Sequence, residues 1–326
     1  MTRTTSIDLD LGRAAVGAAV RAPSVYNAQP WRFALRDGVI DVRIDANRVA
    51  PIADPRRWAA RIACGAAITN LRLSLAVAGL DSRAHLLPAP DDPLLVAIIT
   101  GTGPCTPTPR QRSLYAAIPR RQSNRRPFFD APVPADVRAR MQGAAAETGT
   151  WLSLVEDRDS VVGIAEIVRV GDQWLRSNAA YVAEMKAWID RYKTADGGIP
   201  PEAAGTAPAG QDLMAMRDFG GADRAEGRDF ESDPLLAVLG THGHSQSHDD
   251  DLVAGMALQM VLLTATDARL ATSLLSQPIE IPDFREDLRR SLRRLGTPQM
   301  IIRVGYGQPV RSTARRPVDD FIDMPT

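Results

Sequence analysis

The sequence predicts an α+β protein of two unequal halves, each carrying a buried helix followed by a strand, with one long irregular insertion. Three observations point there. Residues Ile62 to Leu80 are apolar or small almost all round, as in a helix enclosed on every side, and Leu252 to Leu270 read the same way. A shift of 190 positions, the separation of Gly65 and Gly255, superposes them without a gap and also pairs Ala67 with Ala257, Leu71 with Val261, Leu73 with Leu263 and Leu80 with Leu270. Each helix precedes a β-rich run, Leu94 to Thr100 in the first half and Gln299 to Gly305 in the second. Between them, residues 195–250 are rich in Gly, Pro, Ala and Asp over a length that compact domains reserve for covers and functional loops.

Taken in chain order, a proline-bearing bend from Arg21 to Gln29 leads into the strand Trp31 to Arg36. The stretch Gly103 to Pro109 reads as a linker, so the halves are expected at 1–105 and 106–326. The second opens with a short helix to Ile118, and Pro134 suits the first turn of a helix running through Gly143. Trp151 to Val155 reads as a strand, and Val161 to Tyr192 as two helices broken near Ser177 and Asn178. The insertion is expected to lie over a site as a lid, pegged by Leu213, Met214, Met216, Phe219 and Phe230. Two copies of one helix–strand unit in a chain this long describe a fused dimer rather than a solenoid, so a monomer with an internal pseudo-two-fold is expected.

At 326 residues, 44% apolar and 24% charged, the chain has enough material for a substantial core. Lys+Arg and Asp+Glu both total 39, so no net field draws it to nucleic acid or an anionic membrane, and any anion site is local. Lys186 and Lys193 are the only lysines, a bias towards arginine that fits a GC-rich bacterial genome. Cys64 and Cys105 stand far apart, which fits a reducing compartment and gives neither a disulfide framework nor a zinc site. Asp8 and Asp10 sit where a secretory leader is basic, and no segment reaches the ~18 uninterrupted apolar residues of a membrane span. A soluble cytoplasmic protein is the expectation.

Two segments carry candidate chemistry. In Arg21-Ala-Pro-Ser-Val-Tyr-Asn-Ala-Gln-Pro-Trp31, Pro23 and Pro30 restrict the backbone, and Pro30 pushes Gln29 towards extended geometry. Ser24, Asn27 and Gln29 then project polar groups suited to the edge of a flat ring such as a flavin or nucleobase. A polar turn between helix and strand is the plainer alternative. Arg120, Arg121, Arg125 and Arg126 crowd round Gln122, Ser123 and Asn124, and paired guanidinium bonds with a hydroxyl between them suit a phosphate. A solvated basic turn is the alternative there. His242, His244 and His248 precede Asp249 to Asp251, and an aspartate capping the helix ahead of Leu252 explains them better than a metal site. His85 and the tryptophans after Trp31 read as packed side chains.

The bend and the strand after it resemble the flavin-contacting Pro-Ser-x-x-Asn-x-Gln-Pro-Trp segment of the nitroreductase family. The basic cluster is similar to that family's Arg-x-Ser-x-Arg phosphate motif, here Arg121, Ser123 and Arg125. The run Ala314 to Asp320 resembles the family ending, in which a basic residue before proline reaches the phosphate; Arg315 and Arg316 are the candidates. Ser276-Gln-Pro-Ile-Glu-Ile-Pro282 is similar to the Pro-Ile-Glu-Gly segment beside the flavin N5, which implicates Gln277 and Glu280. Ile281 stands where the family has glycine, and is expected to narrow the space over the ring, while Pro282 removes a backbone donor. The resemblance, nearest to the fused, mycobacterial-type Acg-like branch, implies a nitroreductase-like fold. It also implies one FMN per chain gripped across the two halves, and hydride transfer from NAD(P)H to a nitroaromatic or quinone-like acceptor. No catalytic side chain is required by such chemistry. An FMN-storing protein with an occluded site and a flavin-free interaction protein are the alternatives.

Overall fold

The structure, a computed structural model, describes residues 6–206, 212–214, 216–219, 230–231, 233–243 and 247–323. Helix α1 (Leu9–Ala19) starts where the Asp8 carboxylate accepts the Leu11 N–H at 2.8 Å, an aspartate N-cap. Strands β1 (Trp31–Arg36) and β2 (Val39–Ile44) form a hairpin turned by Asp37 and Gly38, both at positive φ (52° and 75°), as Asp-Gly turns favour. Helix α2 (Trp58–Val77) follows, then β3 (Leu80–Leu86) and β4 (Leu95–Pro104). A capping box between Thr108 and Gln111, with Pro109 at the first position, opens α3 (Pro109–Ala117).

The second sheet begins at β5 (Phe128–Phe129) and is interrupted by α4 (Ala135–Ala146), β6 (Trp151–Val155), α5 (Arg158–Ser177) and α6 (Ala179–Ile189). The break between the last two falls at Asn178, whose side chain accepts from Ala180 and Tyr181 N–H and starts α6. Then come α7 (Pro201–Ala204), β7 (Leu235–Thr241), α8 (His248–Asp267), β8 (Ala271–Leu275), α9 (Gln277–Glu280), α10 (Pro282–Ser291), β9 (Thr297–Gly307) and β10 (Ile322–Asp323).

Two sheets result, ordered β10-β1-β2-β4-β3 and β5-β9-β7-β6, with β8 also paired to β9. Between them α2 packs on α8, and the glycines of the repeat explain how closely. A Cβ on Gly65 would lie 2.2 Å from the Leu252 carbonyl, and one on Gly255 would lie 2.1 Å from the Ile62 carbonyl. Leu252 is itself the repeat partner of Ile62, so the contact is reciprocal, as at a two-fold interface between identical subunits. Helix α2 is long and apolar enough by composition to cross a membrane, yet 89% of that stretch is buried in this double core.

The irregular reading of 195–250 is corrected at β7. This strand sits between β6 and β9 with Leu236 to Thr241 buried, so it belongs to the sheet and not to a cover. Its continuous apolar run, enclosed on both faces, is the ordinary pattern of a central strand. Of the expected pegs, Met214 and Met216 are buried in the second-half core, with Leu213 and Phe230 packed against it. Other departures are local. Ser247, not an aspartate, caps α8, accepting from Asp250 N–H at 3.0 Å, while Asp249 to Asp251 occupy its first turn. His85 and Trp174 are exposed rather than packed. After β9 the chain crosses back, and β10 pairs parallel with β1 (Phe33 with Ile322), so the end of the second half completes the sheet of the first.

Candidate functional site

The bend after α1 is held in a conformation few sequences adopt. Tyr26, Asn27 and Gln29 all have positive φ (54°, 55° and 56°), a strain that persists only where surroundings fix it. Gln29 is therefore not extended, which corrects the expectation drawn from Pro30. Its N–H donates to Ser24 Oγ at 3.0 Å, and its Oε1 accepts the Arg316 N–H at 3.2 Å. Asn27 donates through Nδ2 to the carbonyls of Gly198 (3.1 Å) and Ala314 (2.9 Å). Both amide protons are thus committed to protein, while the buried Oδ1 has no hydrogen-bond partner among the described residues. Asn27 lines a cavity and keeps one unpaired acceptor.

Three guanidinium groups line the same cavity. Arg121, 7% exposed, makes one long bond from Nη2 to the Arg21 carbonyl (3.4 Å), and its Nε has no partner among the described residues. Arg125 donates to the Ala203 carbonyl at 2.8 Å and stacks 4.6 Å from the Phe219 ring. Arg315 donates to the carbonyls of Val20 (2.9 Å) and Ala22 (3.0 Å) and to Thr313 Oγ1 (2.8 Å). Burial pushes Arg121 and Arg125 down to about 10, with Arg217 and Arg121 adding to the effect on Arg125. Arg315 is pushed down to about 9 by burial, with help from Arg121 and Arg21. Such depression marks desolvated cations with no counter-charge beside them among the described residues.

Asn27 and the three arginines line one cavity of about 1220 Å³, open mouth included. Its walls are apolar: Trp58, Ile62 and Ala63 from α2, Leu258 from α8, then Leu274 and Met300. Tyr26 and Phe219 meet edge to face, 6.5 Å between ring centres. Rings and aliphatic walls together with amide and guanidinium groups suit an amphipathic, phosphorylated aromatic ligand.

No family model matches the chain. Among relatives, the Mycobacterium tuberculosis protein named "Putative NAD(P)H nitroreductase Rv3131" is 30% identical over 331 residues, covering 98% of this chain and 92% of its own. The chain belongs to the nitroreductase family. "Putative NAD(P)H nitroreductase acg" from the same species is 29% identical over 326 residues, covering 98% of this nitroreductase and 97% of itself. Two solved structures align more loosely. Nitroreductase NfnB from sphigopyxis sp. strain HMH, described as FMN and NADPH-dependent, is 16% identical with a TM-score of 0.40, over 64% of this chain and 97% of its own. A Desulfitobacterium hafniense nitroreductase with bound FMN is 11% identical, also at TM-score 0.40, over 65% and 97%.

Of the residues singled out by sequence, Pro23, Ser24, Asn27, Arg121, Ser123, Arg125, Gln277 and Arg315 line the cavity. Gln29 and Arg316 do not. Gln29 is fully buried behind the bend as its brace, and Arg316 turns away to Asp196 (3.4 Å) and Asp320 (3.3 Å). Glu280 also lies outside the main cavity, where it accepts from Arg217 Nη2 (2.7 Å), Ser276 Oγ (2.8 Å) and Tyr181 OH (3.1 Å). Ile281 does not narrow the site, because it is buried against Leu175 and Tyr181. Pro282 occupies the first turn of α10, where its missing N–H leaves no helical bond unmade.

Four lining residues carried no sequence signal of their own. Tyr26 sits inside the recognised bend; its hydroxyl donates to Tyr181 OH at 3.0 Å and accepts from Arg217 at 3.4 Å. Trp58 donates through Nε1 to Gln299 Oε1 at 2.7 Å while its ring lines the cavity. Arg217 comes from the irregular segment; burial opposes its charge, but Glu280 with Tyr181 and Tyr26 holds it well above its ordinary value. Arg311 stands at the rim.

Proposed function

We propose that this chain is an FMN-dependent oxidoreductase that carries reducing equivalents from NAD(P)H to a nitroaromatic or quinone-like acceptor, with one flavin per chain. The reading treats residues 1–105 and 106–326 as two nitroreductase-like halves of an intramolecular pseudo-dimer. One observation supports it above the rest. A single cavity is lined by Asn27, whose buried Oδ1 has no donor, and by three guanidinium groups, buried or half-buried, that no carboxylate pairs among the described residues.

FMN is complementary to that polarity, since its pyrimidine edge carries a ring N–H and its phosphate carries about −1.5 to −2 charge near neutrality. Asn27 would take the ring N–H, with Ser24 and Gln277 beside it. Arg121, Ser123, Arg125 and Arg315 would hold the phosphate, with Arg121 Nε supplying a donor that the protein leaves unused. Bound there, FMN would supply the chemistry of accepting and passing on a hydride. The protein's share is orientation and exclusion of water. Trp58, Ile62, Leu258 and Leu274 form a dry wall, and the strained bend fixes Asn27 before any ligand arrives, so little freedom is lost on binding.

Anaerobic addition of NADH or NADPH to the purified, flavin-loaded protein tests this reading. Rapid bleaching of the visible flavin band is the expected result. A band that responds to dithionite but to neither nicotinamide would replace it with flavin storage. Protein that is colourless and refuses added FMN would end the flavin reading altogether.

A further inference from the structure

The cavity holds more positive charge than one flavin phosphate can answer. Six arginines line it, and no carboxylate does among the described residues. Arg217 is matched by Glu280 just outside, which leaves Arg21, Arg121, Arg125, Arg311 and Arg315. A phosphate monoester brings at most two negative charges. The three inner guanidinium groups already suffice for it.

Arg21 and Arg311 are different from those three. Both are exposed at the mouth, and no hydrogen bond or ion pair engages either side chain among the described residues. They are nevertheless tied to the inner set. Arg121 donates to the Arg21 carbonyl, Arg21 lies close enough to Arg315 to repel its charge, and Arg311 opens the run Arg311-Ser312-Thr313 that lines the cavity as far as Arg315. The Thr313 hydroxyl is occupied by Arg315, whereas Ser312 is exposed beside Arg311. Two exposed cations and an exposed hydroxyl lining the same cavity repeat the chemistry of the inner phosphate cage.

We propose that Arg21, Arg311 and Ser312 form a second phosphate subsite that receives the 2′-phosphate of the electron donor, so that the protein selects NADPH over NADH. The proposal rests on the flavin reading above, because a flavin phosphate must fill the inner cage for the rim to be left over. A dianionic monoester is the group best matched to two guanidinium groups, and it is what distinguishes the two nicotinamides.

The test is calorimetric titration of the purified holoprotein with adenosine 2′,5′-bisphosphate and with adenosine 5′-monophosphate, alongside the variant Arg21→Gln/Arg311→Gln. Both positions are exposed, and thermal unfolding checks that the variant is folded. The wild type is expected to bind the bisphosphate about tenfold more tightly, a return in keeping with partly solvated charge-assisted contacts. The variant should bind both alike, and the ratio of NADPH to NADH turnover should fall with it. Equal wild-type affinities, no binding of either probe, or a preference that survives the double substitution overturns the proposal. Inorganic phosphate competing as well as the bisphosphate also overturns it, by making the rim a general anion site. Flavin-replete protein without the preference ends this inference alone, while protein that refuses FMN ends the parent reading and this inference with it.

Discussion

Replacing Arg121 with methionine should move stability and ligand binding in opposite directions, which separates a binding residue from a structural one. Burial lowers the Arg121 guanidinium from its ordinary 12.5 to about 10, equivalent to roughly 3 kcal/mol by which the interior disfavours its charged form. Folded and unfolded chains are both charged there at pH 7, so the whole penalty is present at neutrality. It fades only as pH climbs from about 10 towards 12.5, where the unfolded chain holds more protons and stability rises. Methionine has similar length and removes the penalty, at the loss of one 3.4 Å bond to the Arg21 carbonyl, about 1 kcal/mol. The flavin-free protein should therefore gain about 2 kcal/mol in urea unfolding at pH 7. Flavin binding should lose the charge-assisted contact, about 1.5–3 kcal/mol, or roughly 10- to 150-fold in Kd by fluorescence titration. A variant that is less stable without flavin, with Kd within twofold of wild type, would refute the reasoning.

Two further perturbations test the frame around the site. Gly255→Ala sets a methyl 2.1 Å from the Ile62 carbonyl, so α2 and α8 must separate; a loss of at least about 3 kcal/mol in urea unfolding is expected, and a wild-type midpoint would contradict the close crossing. Asp54 accepts from Ala59 and Ala60 N–H at the start of α2, yet burial pushes it up to about 6. The folded state then holds more protons between about pH 4 and 6, and stability falls as pH rises through that window. Asp54→Asn should shrink the difference in unfolding free energy between pH 5 and pH 7 by about 1–2 kcal/mol. Some slope should survive, because burial likewise raises Asp251 to about 6.

What the sequence revealed and what it hid divide along physical lines. Periodicity located α2, α8, β1 and β6, because each is long or strictly patterned and its environment is uniform along its length. The glycine pair was visible for a different reason, since only glycine fits a backbone-to-backbone crossing. Strand β7 was concealed by its flanks, where glycine, proline and aspartate dominate, although Leu235 to Thr241 has the apolar run of a central strand. β10 could not be read at all, for two paired residues leave no pattern. In the site, clustered motifs were legible and distant partners were not. Arg217 is an isolated arginine whose meaning depends on Glu280, 63 residues away, and Trp58 becomes a cavity wall only through the crossing of α2. The same blindness misplaced Ile281, Glu280 and Arg316, whose neighbours are set by tertiary contacts that no local motif encodes.

Arg315 and β10 also fix when the molecule becomes competent. Arg315 ties the tail to the carbonyls just beyond α1, Ala314 receives Asn27, and Ile322 is hydrogen-bonded beside β1, so nearly the first and nearly the last described residues meet at one place. A ribosome that has delivered both cores has still not delivered the closure. A version of the chain stopped shortly before Arg311 would keep most of its interior yet lose Arg315 from the cavity and β10 from the first sheet.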